Sequence, residues 1–154
     1  MKTLPIFLIM FFVSCGMIYA QGFTNQSLQG NYAAQAIYGD NEAAGVGVVN
    51  CSDNGSVSGT ATLNLSGRGF KRQIIKVSIE GTYTVNSDGT IPLAYKTIFE
   101  DGFTIDESAD CVIMQVNDNK LATEVFCVGR EALIPSLGFK REGTLNITFK
   151  RLPD

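Results

Sequence analysis

The sequence predicts an all-β fold, an eight-stranded antiparallel up-and-down barrel. Three observations carry that expectation. The first is alternation. Between Lys76 and Asn86, the residues Val77, Ile79, Gly81, Tyr83 and Val85 lie on one face, while Lys76, Ser78, Glu80, Thr82, Thr84 and Asn86 lie on the other. A period of two marks a strand with one buried and one wet face. The second is repetition: comparable runs follow one another along the chain, separated by short clusters of turn-forming residues. The third is the lack of a competing long amphipathic helix. Short connections favour antiparallel neighbours, and an even number of short-linked strands is best served by closure, which leaves no free sheet edge.

The elements follow in order. Residues 1–20 read as a secretory signal peptide: Lys2 supplies a positive start, Leu4 to Val13 is nearly all apolar, and small residues lead to Ala20 and the polar Gln21-Gly22. The apolar run is short for a membrane span of about 20 residues. A variant of this reading makes Phe12-Val13-Ser14-Cys15 a lipoprotein signal, with Cys15 acylated as the first mature residue. Residues 21–154 form one β-barrel domain with no composition break. Strands are expected at Gly30–Tyr38, Ala43–Cys51, Ser56–Leu65, Arg72–Asn86, Thr90–Phe99, Ala109–Val116, Leu121–Arg130 and Glu142–Arg151. The turns between them, Gly39-Asp40-Asn41, Ser52-Asp53-Asn54-Gly55, Ser66-Gly67-Arg68-Gly69, Ser87-Asp88-Gly89 and Asn117-Asp118-Asn119, use residues that tolerate positive φ or form Asx turns. Glu131-Ala132-Leu133-Ile134 could form one helical turn before Pro135.

The faces of these strands carry further information. Val57, Gly59, Ala61, Leu63 and Leu65 point one way and Ser56, Ser58, Thr60, Thr62 and Asn64 the other; Leu145, Ile147 and Phe149 oppose Thr144, Asn146 and Thr148. Ala43, Ala44, Gly45 and Gly47 crowd the second strand. Small residues there fit a bend or tapered end of the core, and they also leave room for a ligand. An eight-stranded interior is either filled by side chains or holds one small ligand. A transmembrane barrel also alternates, but it shows aromatic girdles and lipid-facing Leu or Phe. Trp is absent here, and the apolar faces contain Gly and Ala.

Composition narrows the chemistry. A net charge of −3 with no basic cluster argues against a nucleic-acid partner or an anionic membrane surface. The chain has no histidine, which removes Ser-His-Asp and Cys-His nucleophile activation and the commonest metal ligand. Carboxylates gather at Glu100-Asp101, Asp106-Glu107 and Asp110. They read as a solvated loop between strands, or as oxygen ligands for calcium, without EF-hand spacing. Gly67-Arg68-Gly69 lacks the Gly-Lys-Ser/Thr of a phosphate loop. Asn25, Asn50, Asn54, Asn64 and Asn146 each begin an Asn-X-Ser/Thr triplet, and Asn50 and Asn64 fall within strands. No metal or cofactor is expected, and no catalytic or ligand-binding residue is assigned.

The cysteines are informative once export is assumed. Removal of the leader takes Cys15 and leaves Cys51, Cys111 and Cys127 in an oxidising setting. Cys111 lies as far before Asn119 as Cys127 lies after it. A hairpin loop centred on Asn119 sets the two directly opposite each other, within disulfide reach, and Cys51 is then left unpaired. A loop centred between Asp118 and Asn119 would place them diagonally, and the alternative to a bond is three buried free thiols.

Several stretches resemble a set of exported bacterial proteins with a barrel similar to that of allene oxide cyclase. They are Ser27-Leu28-Gln29-Gly30-Asn31-Tyr32-Ala33, Ala44-Gly45-Val46-Gly47-Val48-Val49, Ser52-Asp53-Asn54-Gly55-Ser56-Val57-Ser58-Gly59 and Gly81 to Thr90. The resemblance implies an eight-stranded antiparallel, calycin-like barrel. The plant enzymes of that name close an unsaturated fatty-acid epoxide in an apolar cavity without metal; none of their functional residues is carried over to a position here. The leading expectation is an exported, periplasmic or secreted, non-enzymatic barrel that binds a small apolar ligand or a protein partner. The alternatives are an isomerase or cyclase acting on a lipid, and a structural envelope or surface protein.

Overall fold

A computed structural model describes residues 22–39, 43–66, 72–141 and 144–153. The expected leader with Cys15, the Asp40-Asn41 and Gly67-Arg68-Gly69 turns and the Glu142 strand start lie outside the described residues. A short helix, α1 (Asn25–Leu28), precedes β1 (Gly30–Tyr38), β2 (Ala43–Cys51), β3 (Ser56–Ser66), β4 (Arg72–Tyr83), β5 (Thr90–Phe99), β6 (Thr104–Val116) and β7 (Ala122–Ile134). A 3-10 turn (Pro135–Leu137), β8 (Phe139–Arg141) and β9 (Leu145–Arg151) complete the chain.

Each strand from β2 to β7 pairs antiparallel with its predecessor, β9 pairs with both β7 and β1, and the sheet thereby closes into an eight-stranded barrel. The three residues of β8 add to β7 beyond the stretch that β9 covers. Alternation decides the faces. Val77, Tyr83, Val57, Leu63, Leu145 and Ile147 are buried inside, whereas Lys76, Ser78, Glu80, Ser56 and Ser58 are exposed. That polarity is the reverse of a transmembrane barrel's. No helix among the described residues is long and apolar enough to cross a membrane.

Three expectations are corrected. Glu131 to Ile134 belong to β7, and the helical turn begins at Pro135, whose fixed φ suits the first position. β6 begins at Thr104, not Ala109, so Asp106 and Glu107 belong to a strand rather than a loop. β4 ends at Tyr83 while the alternation continues to Val85, which is buried without being in a ladder.

Between Ala109 and the loop the β6–β7 hairpin keeps its register by compensation; beyond Ala109, away from the loop, Arg130 is an extra residue on β7 and the register shifts by one. Met114 is an extra residue on β6, and Thr123 an extra residue on β7. The two bulges cancel, so Val116 faces Ala122 and Cys111 faces Cys127. Asn117 closes the turn, its Oδ1 accepting from the backbone N–H of Asn119 and of Leu121, both at 3.0 Å. Cys111 and Cys127 are joined by a disulfide, and Cys51 is a buried free thiol.

Candidate functional site

The barrel has two unlike ends. At one end β1 begins, β4 stops and β5 starts. The segment from Phe23 to Gln29 lies there, with Leu28 buried in the core. Polar groups lock it in place. The N–H of Val85 donates to Asn25 Oδ1 at 2.8 Å, and that of Phe23 to the Ser87 carbonyl at 3.2 Å. Beneath α1, the Tyr32 hydroxyl donates to the Ala122 carbonyl at 2.8 Å, and the Tyr83 hydroxyl to the Ser52 carbonyl at 2.6 Å. Arg151 donates to the Gln29 carbonyl at 2.6 Å and to the Tyr32 hydroxyl at 3.1 Å. Burial raises the Tyr32 and Tyr83 phenols above their ordinary value. It pushes the Cys51 thiol up to about 12, with Arg151 pulling the other way. These groups are structural: each is enclosed and satisfied, or an inert thiol.

The other end is built differently. A cavity of about 50 Å³ lies inside it, with a lining that includes no charged side chain. Its space arises from small inward residues on three adjacent strands: Ala34 and Ala36 of β1, Gly45 and Gly47 of β2, and Ala61 of β3. The two readings of the second strand's small residues therefore meet in one place. Gly47 also lets β2 and β3 approach, since a Cβ there would overlap the Thr60 carbonyl and stand 2.7 Å from Ala61 Cβ. Ala43, Gly45 and Gly47 point inward, but Ala44 points outward and takes no part.

Polar groups enter this cavity from β1 and β5, with Glu107 of β6 behind them. Tyr38, Tyr95 and Thr97 line it. Glu107 stands opposite Tyr95 in the β5–β6 ladder, is 6% exposed, and accepts a hydrogen bond from Thr97 Oγ1 at 2.7 Å. The Tyr95 hydroxyl is buried and closes no hydrogen bond of standard geometry. Burial raises its pKa well above the ordinary value, and neighbouring Glu107 and Tyr38 raise it further. Glu107 and Tyr38 thus lie near enough to act on this hydroxyl without satisfying it.

The carboxylates that cluster in the sequence disperse in space. Asp106 faces out and pairs with Lys96 at 3.6 Å, Asp110 faces out and pairs with Arg130 at 3.4 Å, and Asp101 Oδ1 accepts from the Phe103 N–H at 3.0 Å. Of this cluster, Glu107 alone is buried inside the barrel. Among the described residues no group of three or more such side chains converges as a metal site. Two of the Asn-X-Ser/Thr asparagines serve local structure: Asn54 Oδ1 accepts from the Ser56 N–H at 2.9 Å, and Asn64 Oδ1 accepts from Arg72 Nε at 2.6 Å. The polar cluster of Tyr38, Tyr95, Thr97 and Glu107 is missed by a motif search. Its signal is positional: Tyr95 and Thr97 continue the inward series Ile91, Leu93, and Glu107 continues Cys111, Ala109 backwards.

No protein-family model and no curated protein matches the chain. Solved structures do. The barrel EF1p2_mFAP2b bound to DFHBI is 12% identical with a TM-score of 0.52, over 82% of this chain and 95% of that one. The redesigned β-barrel mFAP1 bound to DFHBI is 13% identical with a TM-score of 0.48, over 82% and 97%. The redesigned β-barrel b11L5F_LGL is 13% identical with a TM-score of 0.47, over 84% and 95%. At 12% identity the likeness to EF1p2_mFAP2b is one of fold alone.

Proposed function

We propose that the protein is an exported binding module that takes a small apolar ligand into the cavity-bearing half of its barrel. The observation that carries this reading is the uncharged cavity framed by Ala34, Ala36, Gly45, Gly47 and Ala61, with polar groups confined to Tyr38, Tyr95 and Thr97. An apolar site with a few placed polar groups is the usual form of a small-molecule pocket. At about 50 Å³ the void is well short of the roughly 300–1,000 Å³ of a drug-sized pocket. That size favours a slender ligand entering lengthwise, its tip buried. The fold likeness to EF1p2_mFAP2b, a barrel that binds DFHBI, is compatible with such a role. The disulfide is compatible with an oxidising compartment, and the 1–20 leader supplies the route.

A second reading has one observation in its favour. Glu107 is buried inside the barrel opposite Tyr95, and a buried carboxyl and phenol beside an apolar void are groups an isomerase or cyclase of the allene oxide cyclase type could use. Turnover of an unsaturated lipid that ceases in Glu107→Gln separates this reading from simple binding.

Native mass spectrometry of protein purified from its own source tests the binding reading. A co-purifying apolar molecule is expected, and Ala36→Val, which fills the void without touching the capped end, should abolish it. Bare protein that also takes up no short alkane overturns the reading.

A further inference from the structure

The cavity carries more information than its size, because one buried donor in it lacks a partner. Tyr95 is 9% exposed, lines the cavity, and holds its hydroxyl away from water with no hydrogen bond of standard geometry. Buried hydroxyls are nearly always paired, so an orphan calls for a reason. Tyr38 and Glu107 stand near enough to act on this hydroxyl, but neither closes a bond of standard geometry with it, and Glu107 Oε2 takes the Thr97 hydroxyl at 2.7 Å. At the capped end the same residue type is treated otherwise, with Tyr32 donating to Ala122 and accepting from Arg151.

We propose that Tyr95 is the polar anchor of the cavity and that the ligand is a neutral amphiphile, an unbranched alkyl chain bearing a ketone, aldehyde or alcohol oxygen. The inference rests on the binding reading above and names the chemistry of that site. The oxygen accepts the hydrogen bond that the Tyr95 hydroxyl lacks. The chain runs along Val49, Val57 and Leu93, which line the cavity deeper in the barrel. A carboxylate head is a poor fit for two reasons. The lining includes no charged side chain to neutralise it, and Glu107, a second carboxyl, stands opposite Tyr95 in the ladder. Burying an unpaired charge costs far more than burying a carbonyl.

A matched series of probes tests this: hexane, 2-hexanone, 1-hexanol and hexanoate, with affinities measured by ligand-observed NMR on the intact protein. The ketone and alcohol should bind about fivefold tighter than hexane, the worth of one net neutral hydrogen bond. Hexanoate should be the weakest. Tyr95→Phe, which keeps the ring and removes only the hydroxyl, should bind hexane as before and lose the preference for oxygen. Hexane binding as well as 2-hexanone, hexanoate binding best, or a preference that survives in Tyr95→Phe overturns the inference. The first of those outcomes leaves the binding reading intact. Failure of all four probes, hexane included, overturns the binding reading and this inference with it. The wild-type series decides even where the variant is unstable.

Discussion

The two ends of the barrel use the same residue types to opposite effect. At the capped end Tyr32 is fully buried with its hydroxyl donating to the Ala122 carbonyl and accepting from Arg151. At the cavity end Tyr95 is buried with no such partner. Large side chains fill the first: Leu28, Tyr32, Tyr83 and Ile91 leave a void of only about 20 Å³ among them. Small ones thin out the second, where Ala34, Ala36, Gly45, Gly47 and Ala61 frame about 50 Å³. On the proposed reading, the difference separates stability from binding within one sheet: complete interactions hold the fold, and the incomplete one is left for a ligand.

Four measurements break or sharpen this contrast. The largest effect falls at the capped end. Cys111 lies beside Leu28, Tyr32 and Ile91, and opening its bond to Cys127 in a Cys111→Ala/Cys127→Ala variant should cost about 3 kcal/mol in urea unfolding. A loss under about 0.5 kcal/mol would mean the β6–β7 seam holds without the link. Next is Tyr32→Phe, expected to cost about 1–3 kcal/mol because the Ala122 carbonyl loses its donor and the Arg151 guanidinium an acceptor. The same substitution at Tyr95 should change stability by less than about 0.5 kcal/mol, or raise it, since no bond is lost. Equal costs at the two positions would erase the distinction between the ends. The smallest effect concerns the turn that supports the capped end. Hydrogen bonds from the Thr90 N–H and hydroxyl hold the Asp88 carboxyl below its ordinary range. A depressed folded value gives stability that is present above the unfolded value and lost as pH falls through the folded one. Asp88→Asn keeps an acceptor at Oδ1. It should lower the urea midpoint slightly at neutral pH, where the ionised form's contribution is lost, and flatten its decline below about pH 4.

Much of the capped end is legible in the sequence, and much of the cavity end is not. The strands Gly30–Tyr38, Ala43–Cys51 and Thr90–Phe99 fall where alternation places them. The direct facing of Cys111 and Cys127 follows from a loop centred on Asn119, although the route there passes through two bulges that no pattern announces. The reason is physical. Alternation reports which face is buried, and burial is a property of each strand alone. A cavity is a property of several strands at once. Gly45 and Gly47 look alike whether they admit a backbone or leave a void, and here they do both. Glu107 is hidden for a related reason. It stands among Asp106, Glu100 and Asp101, and a run of carboxylates reads as solvated until the start of β6 at Thr104 turns one of them inward. α1 escapes notice because Asn25–Leu28 is a single turn, too short for a helical period to show.

Cys51 gives the capped end a property of practical use. Its thiol is 6% exposed and pushed up to about 12, so at neutral pH it is both covered and protonated. Thiol reagents attack the thiolate, and here they must wait for the cap to lift. The alkylation rate of Cys51 in native buffer is then the intrinsic thiol rate multiplied by the fraction of time that end stands open. The molecule thus carries a clock for local opening, placed beside Tyr32 in the capped half. Ligand entering the other half should leave that clock running at its own pace if the ends are independent, and slow it if the barrel breathes as one.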